Sequence, residues 1–448
     1  MSSQVRVLNI SHVRSVQTAG LPLPRQGEHR LSFIDLSQIS KTIQRLFFFD
    51  GSDLPPFPSV VSALQSSLAA TLAVYLPLAG VLSFRPDSGD VFVEAEFAGS
   101  AEAMRRLARD DEHDTGAFVR LVPELEATRL PAPVLPVQVT RPADGDGAVA
   151  VGVSIRHAVA DGHAVWQFLK AWSTASREGP GSLAAPGFVQ PTFDRTGIIV
   201  APGLPRSTSS EPEIMQQIST RTFLLRADGI RSLKQQILRQ SSALNSGAAP
   251  SKPPSTYVAI VSLVWASIAR AKLTTMLDAD DGYIMVTADC HSRLRTPLDD
   301  GFFGNCVKPC VARVRAGDLR GEATGVARAA AAIQHAIHVH LEGDPLSDAE
   351  RWVAAYGAIP KERLVAVGSS NRFMAYETDF GWGGPSRVEL VSVFAAQLVT
   401  LLGARDGGVQ VSVALDRGTM VGFAPNLVVS APILAVGVAA ASDAASIA

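Results

Sequence analysis

Two stretches of the sequence place chemistry-bearing side chains at defined spacing. The first is Val149 to Trp172, VAVGVSIRHAVADGHAVWQFLKAW, where His157 is followed four residues on by Asp161 and then Gly162. An imidazole with a pKa near neutral can take a proton from a hydroxyl or amine as that group attacks a carbonyl, then return it to a leaving group. A thiolate leaving group needs little such help, which suits a thioester donor. Asp161, one helical turn further, is badly placed to address the same proton, so its expected role is to fix the loop by pairing with a distant arginine. On the residues alone, a buried histidine ending a strand accounts for the same pattern.

The second stretch is Asp379-Phe380-Gly381-Trp382-Gly383-Gly384-Pro385. Two aromatics between glycines, opened by an acid, read as a tight loop with rings filling the space beneath it, and Asp379 is expected to be structural. A third segment, Asp289-Cys290-His291-Ser292-Arg293-Leu294, precedes Phe302-Phe303-Gly304-Asn305-Cys306. Arg293 is a candidate partner for Asp161 or for a phosphate, with an ordinary surface arginine the alternative. Spacing alone decides little, because His340 and Asp344 repeat it beside His335 and His338, where a solvated helix face is expected. Cys290, Cys306 and Cys310 are odd in number and lack zinc spacing, so reduced thiols and no metal site are expected.

The elements that must position these groups follow from periodicity. Val149, Val151, Val153 and Ile155 alternate as a strand, and Val165, Phe168, Leu169 and Trp172 form the apolar stripe of a helix. Before them lie strands at Val5–Ile10, Val91–Ala95 and Leu135–Thr140, and a helix at Val60–Ala73 stopped by Pro77 and Gly80. Residues 182–210 are rich in Gly, Pro and Ser and read as a crossover. Beyond it come a strand at Ser219–Leu224, a helix at Ile230–Leu238, a polar loop with Lys252, and an apolar helix at Thr256–Leu273. A buried strand at Ile284–Ala288, a helix at Glu322–Leu341, and a closing pair of strands at Val388–Val399 and Val409–Leu415 complete the chain. The alternation on both sides of the crossover predicts two α/β domains, 1–190 and 216–448, joined by 191–215.

Composition sets outer bounds. A chain of 448 residues is too long for one ordinary core, and 47% apolar with 18% charged residues fits a globular protein. Lys and Arg number 40 against 42 for Asp and Glu, so no global field points to nucleic acid or an anionic membrane. The N-terminus has no apolar signal region, and no internal run reads as a membrane span, so a cytoplasmic protein is expected.

Together the motifs resemble the BAHD family of plant acyl-CoA-dependent acyltransferases. The family's H-x-x-x-D-G stands at His157–Gly162 and its D-F-G-W-G at Asp379–Gly383, in order and more than two hundred residues apart. Leu31–Asp35, Leu76–Gly80, Gln138–Thr140 and Asp289–Leu294 add support. The resemblance implies an α/β fold of two domains like chloramphenicol acetyltransferase, each a mixed β-sheet with flanking helices, and an active-site channel at their interface. It implies a monomer using acyl-CoA as co-substrate, with no permanently bound cofactor or metal, and direct transfer through a ternary complex. His157 would be the general base, Asp161 a brace meeting an arginine such as Arg293, and Asp379 structural. Lys252, Ser255, His291 and Arg293 match places where the family meets CoA.

Phe302–Cys306 and Gly368-Ser369-Ser370-Asn371-Arg372-Phe373 resemble the branch that acylates anthocyanin, flavonoid and phenolic glucosides. Malonyl-CoA is then the favoured donor, with Ser370 and Asn371 as donors toward the oxyanion. Arg156, His163 and Arg372 are candidate cations for a malonyl carboxylate. Departures are Arg156 where the family usually has His or Asn, Phe302 for tyrosine, His291 for arginine, and an apolar tail from Ala424 with Asp443 its one charge. The alternatives are a hydroxycinnamoyl-CoA-dependent O- or N-acyltransferase of the same family, a carrier-protein condensation enzyme, and a non-catalytic binder.

Overall fold

The computed structural model describes residues 5–16, 31–51, 53–82, 90–125, 132–145, 147–196, 198, 218–244 and 252–430. The expected crossover beyond 198 and the tail from 431 lie outside the described residues. In chain order the strands are β1 (Val5–Val13), β2 (Thr42–Asp50), β3 (Val81–Leu82), β4 (Asp90–Phe97), β5 (Ala132–Pro133), β6 (Val137–Pro142), β7 (Ala148–Arg156), β8 (Ile218–Leu225), β9 (Asp281–Asp289), β10 (Val307–Arg315), β11 (Leu364–Val367), β12 (Arg387–Leu390), β13 (Leu398–Gly403) and β14 (Val409–Asp416). They form two six-stranded mixed sheets, ordered β1-β4-β6-β7-β2-β12 and β10-β9-β11-β13-β14-β8, with a small β3-β5 ribbon.

β7 is buried along all nine residues, beyond the simple alternation its valines suggest. It lies between β6 and β2, and both of its faces are covered. Val149, Val151, Val153 and Ile155 join the core under the helices Phe57–Val74 and Gly162–Glu178, while Ala148 and Ala150 pack on the opposite face against Met104 and Phe118. A strand covered on both faces reads as a near-continuous apolar run. Its partner β2, TIQRLFFFD, is buried except at half-buried Gln44 and exposed Asp50, yet no strand is expected there from the sequence, because the run has no clean period-two pattern.

The helix Phe57–Val74 corrects the expectation that no run could span a membrane, since its length and composition would suffice. Here Val60, Leu64, Leu68 and Leu72 pack into the first core. In the second half the helix Thr256–Ala271 is buried almost all round between its sheet and the helices Gly325–His340 and Arg417–Ser430. β9 alternates buried and half-buried residues instead of being buried throughout.

The strand expected at Val388–Val399 is two strands in different sheets. β12 pairs antiparallel with β2, Arg387 opposite Phe48 and Leu390 opposite Arg45, and so completes the first sheet. β13 runs between β11 and β14 in the second. The expected 216–448 unit therefore lends one strand to its neighbour, and Ser392 in the connection accepts from Gln44 N and donates to the Thr42 carbonyl.

Candidate active site

The turn from β7 into the helix Gly162–Glu178 carries His157 and Asp161 between elements from both halves of the chain. The His157 amide donates to the Lys41 carbonyl at 3.0 Å, just ahead of β2. Its carbonyl accepts from Asn305 Nδ2 at 2.8 Å. The imidazole is half-buried, with the Phe394 ring edge-on at 6.0 Å, and Nδ1 makes no hydrogen bond of normal geometry. Burial, reinforced by the positive charges of Lys41 and Arg45, lowers the His157 pKa to about 4; its own carbonyl and Asn305 oppose this only in part. The ring is therefore neutral at physiological pH, the state in which it can accept a proton.

Asp161 is 1% exposed and caps the helix, Oδ1 accepting from Ala164 N at 3.0 Å. Oδ2 accepts from Cys306 N at 3.1 Å, and the Asp161 amide donates to the Gly304 carbonyl. Burial raises its pKa against these hydrogen bonds and the nearby His291 and His163. The brace is thus two backbone amides, Ala164 N of its own helix and Cys306 N of the Phe302–Cys306 segment, not a guanidinium. Arg293 lies exposed on the short turn His291–Arg293, correcting the expected pairing; a side chain so near the helix N-terminus is satisfied by free amides without a cation.

The buried arginine of this region that meets an acid among the described residues is Arg195, from the start of the crossover. Its Nε donates to Asp35 Oδ2 at 2.7 Å, and its guanidinium lies 5.7 Å from the Phe302 ring. Asp35 is fully buried at the end of its Ser32 capping box, and its Oδ1 accepts from Asn305 N and from Asn305 Nδ2. Asn305 therefore bridges Asp35 to the His157 carbonyl. The F-x-D and F-G-N-C patterns stood in the sequence, but their meeting is a tertiary fact that no spacing announces.

The Asp379 loop sits beneath the same helix, remote in role from the imidazole. Asp379 Oδ1 accepts from Gly381 N and Gly383 N at 2.8 and 3.0 Å, holding a turn whose glycines take φ of 112° and 92°. Phe380 is 1% exposed and meets Trp172 edge-on at 4.8 Å in the first core. Ser176 Oγ donates to the Phe380 carbonyl and Arg177 to that of Asp379, so the loop is tied to the end of the helix that His157 precedes.

Of the remaining expected residues, Ser370 and Asn371 stand in the turn before Phe373. Ser370 Oγ accepts from Arg372 N, while Phe373 presses on Gly162 so closely that a β-carbon there would lie 3.0 Å from the ring. Lys252 is exposed, and Ser255 Oγ is occupied as the N-cap of Thr256–Ala271, accepting from Val258 N. His291 Nδ1 meets Asp289 Oδ1 at 2.6 Å, and its ring is 5.4 Å from that of His163. Burial alone would lower the His291 pKa, but Asp289 and Asp161 outweigh it and raise it. The three cysteines are free and buried, and desolvation pushes Cys290 up to about 12 and Cys310 to about 11. No group of three or more metal-ligating side chains occurs among the described residues. His335 and His338 lie exposed on their helix.

The comparisons with known proteins converge with this geometry. A family model described as Transferase family matches residues 12–428. Phenolic glucoside malonyltransferase 1 of Bemisia tabaci is 28% identical, covering 94% of this chain and 96% of its own length. Malonyl-coenzyme A:anthocyanin 3-O-glucoside-6''-O-malonyltransferase of Dahlia pinnata is 27% identical, covering 86% and 89%. Vinorine synthase superposes with a TM-score of 0.76 over 96% of this chain and 98% of its own, at 18% identity. F. sporotrichioides TRI101 complexed with coenzyme A and T-2 superposes at 0.63 over 88% and 96%, at 16% identity. The solved structures establish the two-sheet fold, and the family model spans it from β1 to the last helix: the chain belongs to the Transferase family of BAHD proteins and is an acyltransferase.

Proposed function

We propose that the protein transfers an acyl group, with malonyl favoured, from acyl-CoA to a hydroxyl of a phenolic, flavonoid or anthocyanin glycoside. The observation that carries the reading is a neutral, half-buried imidazole held by its backbone at the seam of the two halves. In the proposed step His157 takes the acceptor's hydroxyl proton as the oxygen attacks the thioester carbonyl. The C–O bond forms, a tetrahedral oxyanion collapses, the C–S bond breaks, and the CoA thiolate recovers the proton from the imidazolium. A base with so low a pKa returns that proton readily. The cysteines are held protonated by burial, which favours direct transfer over an acyl-enzyme on a thiol. Ser370 and Asn371 remain the proposed oxyanion donors, from a turn that packs on Gly162 through Phe373.

The donor and acceptor classes are read from the names of the malonyltransferases of Bemisia tabaci and Dahlia pinnata. A coumaroyltransferase of Arabidopsis thaliana at 27% identity keeps hydroxycinnamoyl-CoA as the second reading. Incubation with malonyl-, acetyl- and coumaroyl-CoA against a panel of phenolic glucosides, scored by product mass, separates them. Transfer is expected from malonyl-CoA and lost in His157→Ala; undiminished turnover by that variant would remove His157 from the reaction.

A further inference from the structure

The guanidinium of Arg45 is 6% exposed on β2, and no carboxylate among the described residues lies within ion-pair distance of it. Among the described residues its one hydrogen bond is from NH1 to the Gln44 carbonyl at 3.0 Å, and buried Nε has no partner there. Buried Arg195 meets Asp35 and half-buried Arg387 meets Glu389, while buried Arg156 directs Nε at the Pro133 carbonyl. A buried cation without an acid is costly, and such a group in a folded protein calls for an explanation. Desolvation already brings the Arg45 pKa down to about 9.

Its neighbours point the same way. Arg45 stacks over the Trp166 ring at 5.9 Å, and Trp166 Nε1 is a second buried donor without an acceptor. Trp166 in turn faces Phe373, the side chain that presses on Gly162. Arg45 projects on the same face of the sheet as Ile43 and Phe47, the face toward the helix Gly162–Glu178, and its charge is felt at the His157 imidazole. Two buried N–H donors, one of them cationic, thus lie on the sheet face toward the helix that His157 precedes, with no acceptor among the described residues.

We infer that Arg45, assisted by Trp166 Nε1, receives the free carboxylate of a dicarboxylic acyl donor. This rests on the proposed function and specifies where its donor preference resides. In a malonyl thioester the carboxylate is separated from the reacting carbonyl carbon by a single methylene, so its counterion must lie on the same side of the sheet as the base, where Arg45 projects toward the helix that follows His157. A guanidinium offers two parallel N–H groups to such a carboxylate, and the aromatic face keeps the pair out of water. The earlier candidates are less suited: Arg372 and His163 are exposed, and Arg156 Nε is directed at the Pro133 carbonyl.

Calorimetry of malonyl-CoA against acetyl-CoA on the full chain tests this without any acceptor. Wild type is expected to bind malonyl-CoA more tightly, and Arg45→Gln to lose that preference by about 10- to 100-fold, with Arg45→Lys between them. The ratio of kcat/KM for the two donors is expected to fall in parallel. If Arg45→Gln keeps the malonyl preference of wild type, or loses both donors equally, the assignment is overturned while malonyl transfer stands. If wild type itself shows no malonyl preference in binding or turnover, the donor reading fails and Arg45 fails with it.

Discussion

Asn305, contributed by the second half of the chain, donates its side-chain amide to the carbonyl oxygen of His157, in the first half, at 2.8 Å. The base is thereby tied down through its backbone and not through its ring. The same amide group reaches Asp35 Oδ1 at 2.9 Å, so the loop bearing the imidazole is registered against a buried ion pair. Asn305 is a positioning residue, acting through His157 without touching the reacting atoms.

Asn305→Ala is expected to lower kcat by about 10- to 100-fold, as loosening of a general base does, with KM for acyl-CoA changed by less than about threefold. The asparagine also raises the His157 pKa slightly, so the acidic limb of the rate profile should move to lower pH in the variant. A variant that merely melts earlier, with kcat and the profile intact, would reduce Asn305 to scaffolding.

The depressed basicity of His157 makes a second prediction, in stability and rate together. Its folded-state pKa of about 4 lies below the ordinary 6.5, so between those values the unfolded chain binds a proton that the folded chain refuses. That contribution is fully present above pH 6.5 and is lost as pH falls through 4. Buried His113, also lowered by desolvation, acts with the same sign. Urea unfolding of wild type and His157→Gln across this window should show the variant losing less stability. The kcat/KM of wild type should fall on the acid side near pH 4 and not near 6.5. Parallel stability loss in both proteins would mean the imidazole titrates normally.

How much of this was legible depends on whether the signal was local. The helix after His157 and the turn of Asp379 were readable because an apolar stripe and paired glycines are written within a few residues. β2 was not, because its run of apolar residues has no period to distinguish strand from helix. The split of 388–399 escaped for a similar reason: no Pro or Gly breaks the run between β12 and β13, and only the partner strand decides which sheet each joins. Asp161 was expected to brace the loop through an arginine, and the structure gives it the amides of Ala164 and Cys306 instead. Backbone amides leave no mark in a sequence, whereas an arginine draws the eye. Asp35, Arg195 and Asn305 are separated by more than a hundred residues each, and their convergence is set by how the sheets pack.

That convergence carries the last prediction. Asp35 is fully buried and Arg195 is 8% exposed, with Nε 2.7 Å from Oδ2. A pair so far from water need not stabilise the fold relative to a well-packed apolar pair, but breaking it strands a charge. Arg195→Met leaves the carboxylate with only Ser32 N and the two Asn305 donors, and is expected to cost about 3–5 kcal/mol. Asp35→Asn strands the guanidinium and should cost a similar amount. Because the two changes remove one interaction, the double variant should cost less than the sum by about 1–3 kcal/mol. Equilibrium urea unfolding of the four proteins measures that coupling, with activity followed alongside because the pair braces the His157 loop through Asn305 and the Val159 carbonyl. Additive losses would show that Asp35 and Arg195 act separately and that the loop is registered by Asn305 and the Asp161 cap alone.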